Sequence, residues 1–151
     1  MKYINVFLIF ITFLSCKEAK KPNEYPDLTV KFSNGTEMNL REIEANAVLV
    51  LYLPNCDHCQ RQVASIKKEI TSFKNYGLFF ITTSDFQSIN AFAKEYKLDN
   101  YANVYFVQAN FPSIINTFGS VDTPTMFIYQ DGSLAKQFSG ETPIDKVLRI
   151  L

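Results

Sequence analysis

Cys56 and Cys59, two of the chain's three cysteines, stand three positions apart in the run Pro54-Asn55-Cys56-Asp57-His58-Cys59. At the start of a helix, residues i and i+3 share one face, so two thiols at this spacing can close a disulfide without dragging the backbone. The sequence changes period at this point. Ala47 to Leu53 is a continuous apolar run of strand length, and from Asp57 onward Val63, Ile66, Ile70 and Phe73 recur at helical spacing. Cys56 is therefore expected at a helix N-terminus, where unpaired N–H groups and the positive end of the dipole favour thiolate. The thiolate is the attacking species, which makes Cys56 the candidate nucleophile. Cys59, one turn in, is expected to be more buried and to resolve a mixed disulfide. His58 is the chain's one histidine. An imidazolium there would stabilise the Cys56 thiolate further, while Asp57 pushes the other way.

The same pair permits other readings. A closed zinc site usually takes four ligands; one CxxC with a lone His inside it would need two chains. Haem attachment needs a His directly after the second Cys, and residue 60 is Gln. A purely structural disulfide also fits the spacing. No flavin or nicotinamide motif is visible, so the redox centre is expected to be the Cys56–Cys59 dithiol itself, with no cofactor and no metal.

The elements that must hold this pair can be read along the chain. Leu28, Val30 and Phe32 alternate with polar residues as in a half-buried strand, Asn34-Gly35 is a strong hairpin signal, and Thr36 to Leu40 return. Ala47 to Leu53 reads as a central strand covered on both faces. Leu78 to Thr82 is a further apolar strand. Ile89, Phe92, Ala93 and Tyr96 mark a helix capped by Ser84 or Asp85. Val104 to Val107 is a short strand, and Pro112 to Phe118 a short helix with Gly119 after its end. Thr125 to Tyr129 and Leu134 to Phe138 flank Asp131-Gly132 as an antiparallel hairpin, and Pro143 to Leu151 forms a terminal helix. A hairpin followed by β-α-β-α-β-α-β-β-α implies an α/β domain with a mixed sheet sandwiched by helices.

The amino terminus is a different kind of sequence. Lys2 precedes an almost wholly apolar run from Tyr3 to Leu14, which has the length of a signal-peptide core rather than of a membrane span. Phe13-Leu14-Ser15-Cys16 resembles a bacterial lipobox, which implies cleavage before Cys16 and lipidation of that residue. Residues 1–15 are thus expected as a lipoprotein signal peptide, 16–26 as lipidated cysteine and polar tether, and 27–151 as the domain. Export would place the dithiol where disulfides persist, on the periplasm-facing side of a bacterial envelope. Lysine plus arginine equal aspartate plus glutamate at 15 each, and no basic stripe suggests nucleic acid.

Two separated strings then carry a specific resemblance. Tyr52-Leu53-Pro54-Asn55-Cys56-Asp57-His58-Cys59 is similar to the strand-to-CxxC segment of the thioredoxin superfamily, and Val121-Asp122-Thr123-Pro124-Thr125-Met126-Phe127 resembles its cis-proline strand. Tyr25-Pro26-Asp27-Leu28 with the Asn34-Gly35 hairpin is similar to the membrane-attached TlpA/ResA-like branch. The resemblance implies a thioredoxin fold with an N-terminal β-hairpin extension. It also implies a cis Thr123–Pro124 bond facing the cysteines, and a monomer acting on protein dithiols or disulfides. Thr123, with Asn55 and Asp57 beside the nucleophile, would contact substrate. Reduction is the implied direction, fed by a membrane-embedded thiol relay. Three positions depart from the pattern: Asn55 replaces a tryptophan, and Val50 and Gln62 replace acids. The usual proton acceptor for Cys59 is therefore missing, leaving His58, a water or the substrate to do that work. No cysteine follows the Pro and Thr/Ser pattern of peroxiredoxins. A non-catalytic module with a stable Cys56–Cys59 disulfide is the alternative.

Overall fold

A computed structural model describes residues 23–151. The expected signal segment 1–15, the lipidation of Cys16 and most of the tether lie outside the described residues. Strands β1 (Thr29–Lys31) and β2 (Glu37–Asn39) form the first hairpin, with Gly35 at a positive φ of 88° in its turn. Then follow β3 (Ala47–Leu51), α1 (Asp57–Lys68), β4 (Gly77–Thr82), α2 (Phe86–Glu95), β5 (Val104–Gln108) and α3 (Phe111–Phe118). The chain closes with β6 (Thr125–Gln130), β7 (Ser133–Ser139) and α4 (Ile144–Leu148). Among the described residues no helix is long and apolar enough to cross a membrane.

The seven strands among the described residues join one sheet in the order β2-β1-β5-β4-β3-β6-β7. β3 runs parallel to β4 and antiparallel to β6, and every residue of it is buried. Its unbroken apolar sequence follows from that position, because both its faces are covered. Alternate residues serve opposite layers. Val48 and Val50 pack with Val63, Ile66, Phe92 and Val147, under α1, α2 and α4. Leu49 and Leu51 pack with Leu28, Leu40 and Ile114, under α3 and the amino-terminal segment. The mixed sheet flanked by helices is the architecture the element order implied. In the β6–β7 turn both Asp131 (φ 49°) and Gly132 (φ 81°) are left-handed, as a two-residue hairpin turn requires.

Three local features differ from the expectation. The first helix ends at Lys68, and Ile70–Phe73 form a separate 3₁₀ turn after Glu69. The terminal helix spans only Ile144–Leu148, and the carbonyls of Ile150 and Leu151 accept instead from Gln130 Nε2 and Tyr76 Oη. Residues 23–26, expected as tether, are docked: Tyr25 is buried, stacks on Tyr129 at 4.4 Å and donates to the Ala45 carbonyl at 2.6 Å. The aromatic ring finds apolar cover beside β6, which its polar neighbours in sequence do not announce.

Candidate active site

β3 ends at Leu51 and α1 begins at Asp57, so Cys56 falls at the corner between a rigid central strand and a helix start. Cys56 is the N-cap, with extended backbone (φ −98°, ψ 116°), and its Sγ accepts from the Cys59 N–H at 3.3 Å. A sulfur thus fills the place usually taken by a serine or aspartate oxygen. The corner is pinned on both sides. Gln60 Nε2 donates to the Pro54 carbonyl at 2.8 Å, and Cys56 N–H donates to Leu53 O at 3.2 Å. Both cysteines are free thiols; Cys56 is partly exposed and Cys59 fully buried.

The second string arrives from the far end of the chain. The Thr123–Pro124 bond is cis, Pro124 is buried, and Thr125 Oγ1 donates to the Asp122 carbonyl at 2.6 Å, fixing the loop ahead of β6. Because β6 pairs with β3, this loop lands beside the α1 start. The Cys56 thiol faces the Thr123 carbonyl at 3.8 Å, across 67 residues of chain.

The two thiols sit in opposite electrostatic settings. Burial by itself pushes Cys56 up, but hydrogen bonds from the Cys59 side chain and N–H, from Thr123 and from the His58 N–H outweigh it, so the thiol lies below its ordinary value. Cys59 is pushed up to about 12, by burial first and by Cys56 second. With iodoacetamide near neutral pH, Cys56 and not Cys59 is expected to be modified in the reduced native protein. The pH midpoint of that reaction should fall below the ~8.5 of free cysteine. Peptide mass mapping checks this; equal labelling of Cys59 would contradict it.

The His58 ring makes its hydrogen bonds with Glu141 and Arg61 and with neither thiol. The residue supplies a backbone N–H to Cys56, while its ring is exposed. Nδ1 lies 2.9 Å from Glu141 Oε2 and 2.7 Å from Arg61 Nη2, and it can serve only one at a time: protonated it donates to the carboxylate, bare it accepts from the guanidinium. Arg61 also grips both oxygens of Glu141. That guanidinium first, and His58 second, hold the Glu141 carboxyl down at about 2, and Glu141 in turn raises Arg61. Neither Arg61 nor Glu141 stood out in the sequence, since they are exposed charges 80 residues apart.

Asn55 and Asp57 are exposed on either side of Cys56. Gln62 is buried on α1, and its Oε1 accepts from Thr142 N–H at 2.7 Å; Val50 lies in the core. Thr123 stands between two hollows. One, of roughly 780 Å³, runs past His58, Asp122, Glu141 and Thr142. The other, of roughly 230 Å³, is apolar, bounded by Leu53, Phe111, Ile115 and Val121. Leu53, Phe111 and Ile115 are three of the four large apolar side chains exposed among the described residues. A third hollow, between β1 and the start of α3, carries neither thiol. Among the described residues no group of three or more His, Cys, Asp or Glu side chains is gathered to hold a metal ion.

The model that describes the AhpC/TSA family matches residues 22–136. No curated protein matches the chain. Among solved structures it is similar to a secreted Mycobacterium tuberculosis disulfide oxidoreductase homologous to E. coli DsbE, at 16% identity and a TM-score of 0.70 over 82% of this chain and 93% of that one. The M. tuberculosis dsbF structure gives 18% identity and a TM-score of 0.66, covering 82% and 92%. StoA from Bacillus subtilis gives 14% and 0.62, covering 81% and 93%. At these identities the likeness is one of fold, and the fold is thioredoxin-like.

Proposed function

The chain belongs to the AhpC/TSA family, and from that premise we propose that it is a protein thiol–disulfide oxidoreductase working through Cys56 and Cys59. One observation carries the reading: two free cysteines at a helix start, joined by the bond from Cys59 N–H to Cys56 Sγ, the partly exposed thiol lowered and the buried one raised. A structural disulfide has no need of that division, whereas exchange needs one sulfur to attack and one to wait.

The Cys56 thiolate attacks one sulfur of a substrate disulfide. The substrate S–S bond breaks, its other sulfur leaves as thiolate, and Cys56 is left in a mixed disulfide. Cys59 then attacks Cys56 Sγ and expels the substrate sulfur held in the mixed disulfide. Two electrons pass to the substrate, and the protein ends as the Cys56–Cys59 disulfide. The exposed Leu53, Phe111 and Ile115 beside Thr123 support a polypeptide substrate with an apolar side chain near its cysteine.

Reduction is the direction we assign, on the resemblance to the TlpA/ResA-like branch, with a membrane thiol relay restoring the dithiol. The apolar run 3–14 and Cys16 support export and a lipid anchor, and neighbours of the same fold include a secreted protein. In insulin reduction under dithiothreitol the chain is expected to hasten precipitation of the B chain, and Cys56→Ser to fall to the uncatalysed blank. Equal rates for wild type and Cys56→Ser would sink the proposal. The anchor is tested apart from this: Cys16→Ala should move the full-length chain from the membrane pellet to the soluble fraction, and an unchanged pellet would refute it.

A further inference from the structure

Among the described residues, two buried side-chain polar atoms have no hydrogen-bond partner, Tyr52 Oη and Gln62 Nε2. Both belong to residues around Cys59. Tyr52 follows the end of β3 on the same face as Val48 and Val50, and shares one packed core with Cys59. Its ring cannot swing freely. Phe92 lies 4.9 Å away, Phe80 meets it edge-on at 5.8 Å and Phe106 at 6.2 Å. The hydroxyl, 1% exposed with its residue, is therefore held where the ring places it. Gln62 lies one helical position-set beyond Cys59 on the buried face of α1. Thr142 N–H can donate only to an oxygen, so this bond identifies Oε1 and leaves Nε2 turned to the interior.

An unpaired buried hydroxyl is destabilising, and phenylalanine would pack the same ring without it. A tyrosine there makes sense if some state of the exchange cycle gives its O–H a partner. Resting on the oxidoreductase reading above, we propose that the Cys59 sulfur, on becoming thiolate, shifts on its own side chain to accept from the fixed Tyr52 hydroxyl, with the Gln62 amide as a second donor, and is so readied to resolve the mixed disulfide. Burial and the Cys59 sulfur both raise the Tyr52 hydroxyl, so it keeps its proton and acts as donor. The acids that the family pattern would place at residues 50 and 62 are Val and Gln here. A neutral donor pair cannot remove the Cys59 proton, but it can stabilise the anion left behind.

The proton goes elsewhere. Attack by Cys56 releases the first substrate sulfur as a thiolate, and that thiolate takes the Cys59 proton. The Cys59 thiolate then breaks the bond between Cys56 and the remaining substrate sulfur, which leaves as thiolate and is protonated by solvent. The groups that act on Cys59 are Cys56 on its own helix cap, the Leu53 N–H and Thr123 from the loop before β6; Tyr52 shares its core cluster and Gln62 follows three residues on along the buried face of α1. None of these carries a permanent charge, so the donors act on a thiolate with no fixed counter-ion beside it.

The test uses the reduced chain with Cys16→Ala, so that only two thiols report, and the small disulfide 5,5′-dithiobis(2-nitrobenzoate), whose weakly basic leaving thiolate leaves the Cys59 proton to solvent. Cys56 releases one nitrothiobenzoate on attack, and Cys59 releases the second on resolution, so the two steps appear as separate absorbance phases. In Tyr52→Phe the ratio of second-phase to first-phase rate is expected to fall about tenfold near neutral pH. The pH midpoint of the second phase should move up by about one unit, which is the same factor. Gln62→Met should lower the ratio in the same direction, and it decides the matter should Tyr52→Phe not fold. An unchanged ratio and midpoint in the folded variants would overturn the role of these donors while leaving the oxidoreductase reading intact. Absence of both phases in the wild type would overturn that reading, and this one with it.

Discussion

Replacing Cys59 by alanine is expected to turn a transient mixed disulfide into a lasting adduct between Cys56 and a substrate cysteine. The substitution leaves the Cys59 N–H in place, so the backbone bond to Cys56 Sγ survives. It removes the Cys59 side chain, the largest of the groups that lower Cys56. The Cys56 thiol therefore rises, less of it is thiolate at neutral pH, and capture is slower than in the wild type. Release is affected far more, since among the described residues no second thiol is left to reach the adduct. Incubated with a disulfide-bonded polypeptide, Cys59→Ala should accumulate a covalent complex that non-reducing electrophoresis and intact mass detect and dithiothreitol dissolves. The wild type should show almost none, and the double variant Cys56→Ala, Cys59→Ala none. With Cys16→Ala in every background, so that the third cysteine cannot react, adduct in the double variant, or none in the single one, would contradict the assignment of attack to Cys56 and resolution to Cys59.

The parts of this site that the sequence made legible are those written as short strings. Cys56 and Cys59 declare themselves by spacing, and Thr123-Pro124 by the resemblance of its segment to the cis-proline strand of the thioredoxin superfamily. Both hairpins were visible because Asn34-Gly35 and Asp131-Gly132 accept left-handed backbone, and three of those four residues or their neighbours do adopt it, as Gly35, Asp131 and Gly132 show. The buried strand β3 was visible because a strand covered on both faces has no polar positions. Periodicity failed where two structures share one spacing. Ile70 and Phe73 continue the helical pattern of Val63 and Ile66, but three residues also span one turn of a 3₁₀ helix, and that is how the segment closes.

Contacts made by long, exposed side chains were not legible at all. Nothing local in Gly140-Glu141-Thr142 says that Glu141 will meet Arg61 and His58, or that Thr142 N–H will take Gln62 Oε1. These bonds depend on β6 and β7 carrying the chain back past the α1 start. The same holds for His58. Its place between the cysteines suggested a ring aimed at a thiolate, yet the ring stands on the exposed side of the α1 start, where Glu141 and Arg61 meet it.

The whole arrangement rests on the layer beneath α1, and Phe80→Ala is expected to show how much. Phe80 is fully buried on β4, stacked on Phe106 at 4.8 Å and in edge contact with Tyr52. Its neighbours are held by the sheet, since β4 is paired on both sides, to β3 and β5. They can close little of the space a ring leaves, so the loss should be near ~3–5 kcal/mol, a large share of the ~5–15 kcal/mol that folded domains possess. At ~2–4 °C per kcal/mol for a chain of this size, the thermal midpoint should fall by about 10 °C. Urea denaturation should show a lower midpoint at an unchanged slope. Phe79→Ala supplies the contrast. Phe79 is also buried, but it stacks on Tyr105 at 4.6 Å in the opposite layer. Both variants should lose stability, while resolution by Cys59 should suffer only in Phe80→Ala, where Tyr52 loses the ring that sets its position. Equal resolution in the two folded variants would mean that the core beneath α1 supports the helix without placing the thiols.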